Sequence, residues 1–253
     1  MNSFEIVTDS SCDLPAELVQ ELDIQVVPLG FLMEGKPYRN YPDNREMSPE
    51  IFYQKLKDGA AATTNAVNLA QATEAIEPFV KAGRDVLVLA FSSGLSATCQ
   101  AFCLAAEELS EQYPDRKILV VDTLCASLGQ GMFVYQAAQQ RAQGKSLEEV
   151  RDWAEANKLR QCHWFTVNDL FFLKRGGRVS GATALLGTCS RSSPSCIWTT
   201  RATSSICPRP GAARPPFSPW PTRWASWERT CPPRPCSSAT APAWRTPSLW
   251  LTR

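Results

Sequence analysis

"DVLVLAFSSGLSATCQAFCLAAEELSEQY", residues 85–113, decides how this chain is read. It opens with a continuous apolar strand, of the kind found in a parallel sheet covered on both faces. A hydroxyl-rich turn, "SSGLS" (92–96), follows, and then a long helix on which Cys99 and Cys103, four residues apart, share a face. Strand, polar turn and helix in that order are the unit from which α/β sheets are built.

The same unit recurs to either side. "FEIVTDSS" (4–11) is a short apolar strand ending in polar residues, and "SCDLPAELVQELD" (11–23) follows it as a helix. "IQVVPLGFLM" (24–33) reads as one second buried strand. "SPEIFYQKLKDG" (48–59) has Ser48 placed to cap a helix, Pro49 in its first turn and Gly59 at its end. "QATEAIEPFVKAG" (71–83) is amphipathic, "KILVVDT" (117–123) is a strand, and "LGQGMFVYQAAQQRAQG" (128–144) is a helix. "SLEEVRDWAEANKL" (146–159) opens with a capping box, Ser146 and Glu149. The alternation predicts an α/β fold: a parallel sheet covered by helices on both faces, forming a first domain over residues 1–160. A second α/β domain is expected to begin at 161 and to be truncated at 187.

In such sheets ligands bind beyond the carboxyl ends of the strands. The polar residues expected at those ends are "TDSS" (8–11), "TTN" (63–65), "FSSGLS" (91–96) and "DTLCAS" (122–127). They are hydroxyls rather than acid–base groups. Hydroxyls and helix-start N–H groups suit a bound carboxylate or phosphate. In any one loop Ser and Thr also serve simply to cap the next helix; four such loops together point to a ligand without naming it.

Composition divides the chain. Residues 1–187 carry a net charge of −7, which argues against a nucleic-acid partner. Residues 188–253 carry +8, with Glu228 the one acidic residue and 12 of the 19 prolines, and show no apolar period. Such a segment is expected to be a disordered tail, and its proline-rich and arginine-rich runs are not read as motifs. "MNSFEIVTDSSCD" does not read as a signal peptide, and no run approaches the roughly 20 apolar residues of a membrane helix, so stable membrane insertion is not expected. Cys12, Cys99, Cys103, Cys125 and Cys162 sit singly in apolar segments, as buried free thiols do in a reducing cytoplasm. With His163 the one histidine and no CxxC, no metal site is expected.

"IVTDSSCDLP" (6–15), "VVPL" (26–29), "TTNAVN" (63–68), "FSSGLSAT" (91–98), "VVDT" (120–123) with "ASLGQG" (126–131), and "FTVNDLFFLKRGGRVSGATALLG" (165–187) occur in the order in which they recur in the DegV family of bacterial fatty-acid-binding proteins, which the chain resembles over residues 4–187. The resemblance implies two α/β domains with one long-chain fatty acid between them. It implies a carboxylate held by first-domain hydroxyls, an apolar tunnel for the chain, and presentation of the acid to the catalytic subunit of a fatty-acid kinase. It makes the protein a carrier rather than a catalyst, with no cofactor beyond the bound fatty acid. Thr64 matches the Thr of the family's Thr-Ser-Gln-Pro loop and Ser93 the Ser of its Ser-Gly-Leu-Ser loop, with Thr63, Ser92 and Ser96 beside them. Asn65, Ala66 and Val67 depart from the commoner Ser, Gln and Pro. Arg175 and Arg178, in "KRGGR", are candidates for contact with the head group or the kinase; the alternative is a solvated basic turn.

Beyond Gly187 the resemblance gives way to "TCSRSSPSCIWTTRATS". The neighbouring reading frame can spell Pro-Val-Leu-His-Leu-Asp, the strand that the resemblance implies here. Trp198–Thr199, TGG-ACN, contains GAC, an Asp, and the five preceding codon junctions permit Pro-Val-Leu-His-Leu. The tail therefore reads as the product of a frameshift near codon 188. Two other readings stand beside the carrier. One is an enzyme, kinase-like or hydrolytic, of related α/β fold, against which count the single histidine, the lack of a phosphate-cradling Gly-rich motif and the absence of a GxSxG elbow. The other is a non-functional frameshifted product. Asp9 and Asp122, at strand ends, are candidate catalytic carboxylates in the enzyme reading; helix capping and loop hydrogen bonding explain them more simply.

Overall fold

The computed structural model describes residues 4–161, 163–166, 195–198 and 204–206. All of these belong to the first of two units into which the chain divides, Met1–Arg209. In chain order the elements are β1 (Phe4–Asp9), a 3-10 turn (Ser10–Cys12), α1 (Ala16–Glu21), β2 (Ile24–Val27), β3 (Leu29–Met33), β4 (Lys36–Asn40), α2 (Pro49–Lys57) and β5 (Ala62–Asn65). They continue with α3 (Leu69–Lys81), β6 (Asp85–Ala90), α4 (Thr98–Gln112), β7 (Ile118–Asp122), α5 (Ser127–Ala142) and α6 (Leu147–Asn157). Three short strands follow: β8 (Trp164–Thr166), β9 (Ser195–Trp198) and β10 (Ser204–Ile206).

The expected parallel sheet is present, ordered β2-β1-β6-β7. Val88 of β6 pairs with Val7 on one side and Val120 on the other. Because successive side chains of a strand face opposite ways, the continuous apolar runs feed two cores. Phe4, Ile6, Leu87, Leu89 and Val121 pack with Phe133, Val134 and Val150 of α5 and α6. Val7, Val86, Val88 and Ala90 pack with Ile76, Val80, Phe102 and Leu109 of α3 and α4. Residues Val86–Ala90 are fully buried. At roughly 1.5–3 kcal/mol for each large side chain, β6 alone contributes on the order of 10 kcal/mol before ordering costs. The loop that leaves β6 thus starts from the best-anchored strand of the sheet.

The helix signals hold. Ser48 Oγ accepts the Ile51 N–H at 3.4 Å with Pro49 in the first turn, and Ser146 and Glu149 close the capping box at 3.2 and 2.8 Å. The helix expected over 11–23 is shorter: a 3-10 turn occupies Ser10–Cys12 and α1 starts only after Pro15.

Two expectations need correction. The run 24–33 is not one strand. Pro28, which has no N–H to continue a ladder, divides it into β2 of the parallel sheet and β3 of a separate antiparallel sheet ordered β4-β3-β5. β3 folds back on β4 through Glu34-Gly35, both at positive φ (52° and 77°), as a two-residue hairpin turn requires. "TTN" (63–65) is likewise not a loop at the end of a parallel strand; it lies within β5, paired antiparallel with β3.

β8 opens just after the boundary expected near 160 and heads a third sheet, antiparallel and ordered β10-β9-β8. β9 and β10 fall within the stretch expected to form a disordered tail. The remainder of that stretch, the expected boundary at 187, and Arg175 and Arg178 lie outside the described residues.

Candidate functional site

β6 runs between β1 and β7, so the loop it feeds, 91–96, emerges between the ends of two neighbours, and each end carries an aspartate. Asp9 Oδ2 accepts the Phe91 N–H at 2.8 Å, and Asp122 Oδ1 accepts the Ser93 N–H at 3.2 Å. The Ser92 N–H donates to the Cys125 carbonyl at 3.1 Å and the Gly94 N–H to Ser92 Oγ at 3.3 Å. Those of Leu95 and Ser96 donate to the Ser92 carbonyl at 3.0 and 3.2 Å. Every backbone N–H from 91 to 96 thus has a partner within the protein. A phosphate cradle works the other way, turning several unpaired N–H groups toward its ligand. What this loop offers a ligand is side-chain hydroxyl.

The hydroxyls differ in their freedom. Ser92 is buried and its Oγ is the acceptor that shapes the turn. Ser96 Oγ lies 2.9 Å from Thr98 Oγ1 and accepts the Thr98 N–H at 3.3 Å, fixing the start of α4. Ser93 is exposed, and its hydroxyl has no partner among the described residues. Thr63 and Thr64 are exposed on β5. As neighbours on a strand they face opposite sides: Thr64 is paired with Phe31, whose ring stacks on Tyr38 and meets Phe52 of α2 edge-on, and Thr63 is paired with Leu32. A ligand on one face of β5 therefore takes one threonine, not both. The segment following β5 is tied to the 91–96 turn, since the Val67 N–H donates to the buried Thr98 Oγ1 at 3.2 Å.

Beneath this edge lies a buried polar network that the sequence reading missed. Thr8 Oγ1 donates to the Leu89 carbonyl at 2.7 Å, so it can only accept from Gln130 Nε2, at 3.1 Å. That orients the Gln130 amide and brings Oε1 to 2.7 Å from Ser11 Oγ, which also contacts Asp9 Oδ1. One hydroxyl proton cannot serve both oxygens. The chain closes when Asp9 is the protonated acid, donating to Ser11, which donates to Gln130. Burial pushes the Asp9 carboxyl above the usual carboxylate range, against the pull of hydrogen bonds from Ser11, the Phe91 N–H and Gln130. Asp13, also raised by burial, accepts from Ser127 Oγ at the start of α5.

Among the described residues, the one histidine and the candidate serine are not brought together. The His163 ring lies against Gly129, where a Cβ would fall 1.7 Å from Nε2; that nitrogen is buried with no partner among the described residues, and burial lowers the ring's pKa. Among the described residues no hydrogen bond joins it to Ser93. Burial also pushes the thiols of Cys12, Cys99 and Cys125 up to about 12, which leaves them poor nucleophiles. Among the described residues no group of three His, Cys, Asp or Glu is placed to hold a metal, and no helix is long and apolar enough to cross a membrane. A surface cleft of about 430 Å³ runs along the edge strand β2, lined by Val19, Gln25, Val27, Arg39 and Glu74, and none of the candidate hydroxyls lines it.

Fold and site together define a doubly covered parallel α/β protein whose 91–96 loop carries an exposed Ser93 hydroxyl on a fully hydrogen-bonded backbone. The chain belongs to the DegV family: the profile described as "Uncharacterised protein, DegV family" matches residues 3–194. A DegV domain-containing protein of Clostridium perfringens is 46% identical over 188 residues, which cover 74% of this chain and 64% of that protein. The chain thus spans about two-thirds of the length of the curated relatives it matches. Among solved structures, a DegV family protein from Thermus thermophilus, described by its fatty acid binding, is 35% identical with a TM-score of 0.72; 81% of this chain and 71% of that one are covered. A stearic-acid-binding protein from Eubacterium ventriosum has the same fold, with a TM-score of 0.73 at 24% identity over 81% of this chain and 70% of its own.

Proposed function

We propose that this chain is built to carry a long-chain fatty acid, its carboxylate accepting hydrogen bonds from Ser93 Oγ and from a threonine of β5, Thr64 by its match to the family loop. The observation that carries this reading is the 91–96 loop. With every N–H engaged internally and the Ser93 hydroxyl without a partner among the described residues, it suits a two-oxygen carboxylate approached by hydroxyls better than a phosphate wrapped in amides. Kinship with the fatty-acid-binding Thermus thermophilus protein supports it. The protein acts in the cytoplasm as a carrier rather than a catalyst, handing the acid to the catalytic subunit of a fatty-acid kinase, with Arg175 and Arg178 meeting the head group or that subunit. Organic extraction of the purified, frame-restored protein followed by mass spectrometry tests the carrier role. A long-chain fatty acid near one per chain is expected; a co-purifying phosphorylated metabolite in its place would favour the kinase-like enzyme.

A second reading concerns the polypeptide as written. The six consecutive residues Pro-Val-Leu-His-Leu-Asp that the neighbouring frame can spell, the Asp forced at the Trp198–Thr199 junction, support a frameshift near codon 188. On that reading the second domain, expected from 161, loses its sequence after Gly187, and the chain binds fatty acid far more weakly than its frame-restored counterpart. Sequencing the gene across codons 180–200 tests this; an unbroken frame there removes it.

A further inference from the structure

Loop hydrogen bonding, the simpler of the two roles expected for Asp122, takes a definite form in its geometry. Its Oδ1 accepts two backbone N–H groups from two different loops: that of Ser93 at 3.2 Å and that of Leu124 at 3.0 Å. Leu124 sits at φ 55°, a left-handed conformation that a leucine holds only where its surroundings fix it. Thr123 closes the same corner, donating from Oγ1 to the Ala90 carbonyl at 2.7 Å and accepting the Cys125 N–H at 3.2 Å. Asp9 grips the other flank at Phe91. Asp9, however, is buried in the Ser11–Gln130 network, whereas Asp122 is half-buried and its Oδ2 makes no bond within the described residues.

We propose that Asp122 is the positioning residue for the ligand's head group, acting through Ser93: by holding the Ser93 N–H toward β7 it fixes the backbone from which the Ser93 hydroxyl projects as the open donor. This rests on the fatty-acid reading above. One acceptor oxygen does the work, so an asparagine, which keeps Oδ1, preserves the grip, and an alanine abolishes it. Charge is not required, which separates positioning from a catalytic carboxylate.

The test uses the 253-residue chain for amide exchange and a frame-restored background for ligand titration, each as parent and as Ser93→Ala, Asp122→Ala, Asp122→Asn and Ser93→Ala/Asp122→Ala variants. Amide hydrogen exchange reports the Ser93 and Leu124 N–H groups directly, and titration with a fluorescent long-chain fatty acid reports affinity. Asp122→Ala should speed exchange at both amides and weaken binding about as much as Ser93→Ala does, roughly tenfold to a hundredfold. The double variant should be little worse than either single one, because both remove the same contact. Asp122→Asn should restore slow exchange and affinity. Unchanged exchange in Asp122→Ala overturns the grip itself. Faster exchange with unchanged affinity, while Ser93→Ala still weakens binding, overturns the positioning role. A Ser93→Ala variant that binds as well as the parent overturns the fatty-acid reading instead, and the exchange data tell that failure from the others. Loss of affinity in Asp122→Asn equal to that in Asp122→Ala shows that charge, not position, is what matters.

Discussion

Ser92 and Ser93 are neighbours with opposite surroundings, and replacing each with alanine should separate loop stability from ligand binding. Ser92 is buried and its Oγ accepts the Gly94 N–H at 3.3 Å. Its removal takes away one internal hydrogen bond, about 1 kcal/mol, which for a chain of this size lowers Tm by roughly 2–4 °C. Ser93 is exposed and its hydroxyl bonds to nothing in the described residues. Ser93→Ala should therefore leave stability within about 0.5 kcal/mol, as surface substitutions do. Its cost falls on the complex, where a hydrogen bond to a charged carboxylate is worth roughly 1.5–3 kcal/mol, or about a tenfold to hundredfold loss of affinity. Calorimetric melting of the free proteins and titration of a frame-restored background with one fluorescent fatty acid read the two effects independently. A Ser93→Ala protein that melts several degrees lower but binds normally would show that Ser93 is the structural serine and that the head group lies elsewhere.

Two further outcomes follow from the buried network and from α5. The Asp9 carboxyl has a raised pKa in the folded state, so the native protein holds that proton to higher pH than the unfolded chain does. Stability from this group is complete below the unfolded pKa, near 3.9, and is lost as pH rises through the folded value. Asp9→Asn, which cannot ionise, should gain stability relative to the parent as pH climbs through that window, and a pH-independent difference in urea midpoint would refute a protonated Asp9. Gly131 packs so closely on the 3-10 turn that a Cβ would meet the Cys12 carbonyl oxygen at 2.4 Å. Gly131→Ala should cost about 1–3 kcal/mol by overpacking against backbone, and an unchanged urea midpoint would contradict that packing.

Local signals carried most of the fold into the sequence. The uninterrupted run at 86–90, the Ser48 and Ser146 caps, and the free thiols of Cys12, Cys99, Cys103 and Cys125 each depend on residues within one turn or one strand. What was illegible depends on distant partners. The run 24–33 looks uniform, and only the pairing of β3 with β4 and β5 shows that Pro28 separates two sheets. The Glu34-Gly35 pair ahead of "KPYRN" was the available hairpin signal. Thr63 and Thr64 read as loop because β5 is short, polar and at the edge of its sheet. In the site, hydroxyls at the strand ends were legible by residue type. Which of them is free was not, because Ser92, Ser93 and Ser96 differ only in what reaches them. Gln130 was missed although a glutamine between two glycines on an apolar helix is a detectable anomaly; its partners Thr8, Asp9 and Ser11 are more than a hundred residues away.

On the proposed function, a hydroxyl site on the first domain and a complete second domain together hold the acid. The head group supplies the smaller share. Each buried CH₂ contributes about 0.8 kcal/mol, so roughly fifteen methylenes gain on the order of 12 kcal/mol before ordering costs, and that gain requires apolar cover beyond the strand ends of the first domain. The most direct measurement is a side-by-side titration of the chain as written and of its frame-restored counterpart with the same fluorescent long-chain fatty acid. Tight binding by the restored protein and weak binding by the written one are expected; equal affinities would contradict the account by showing that residues 1–187 bind the lipid without the rest.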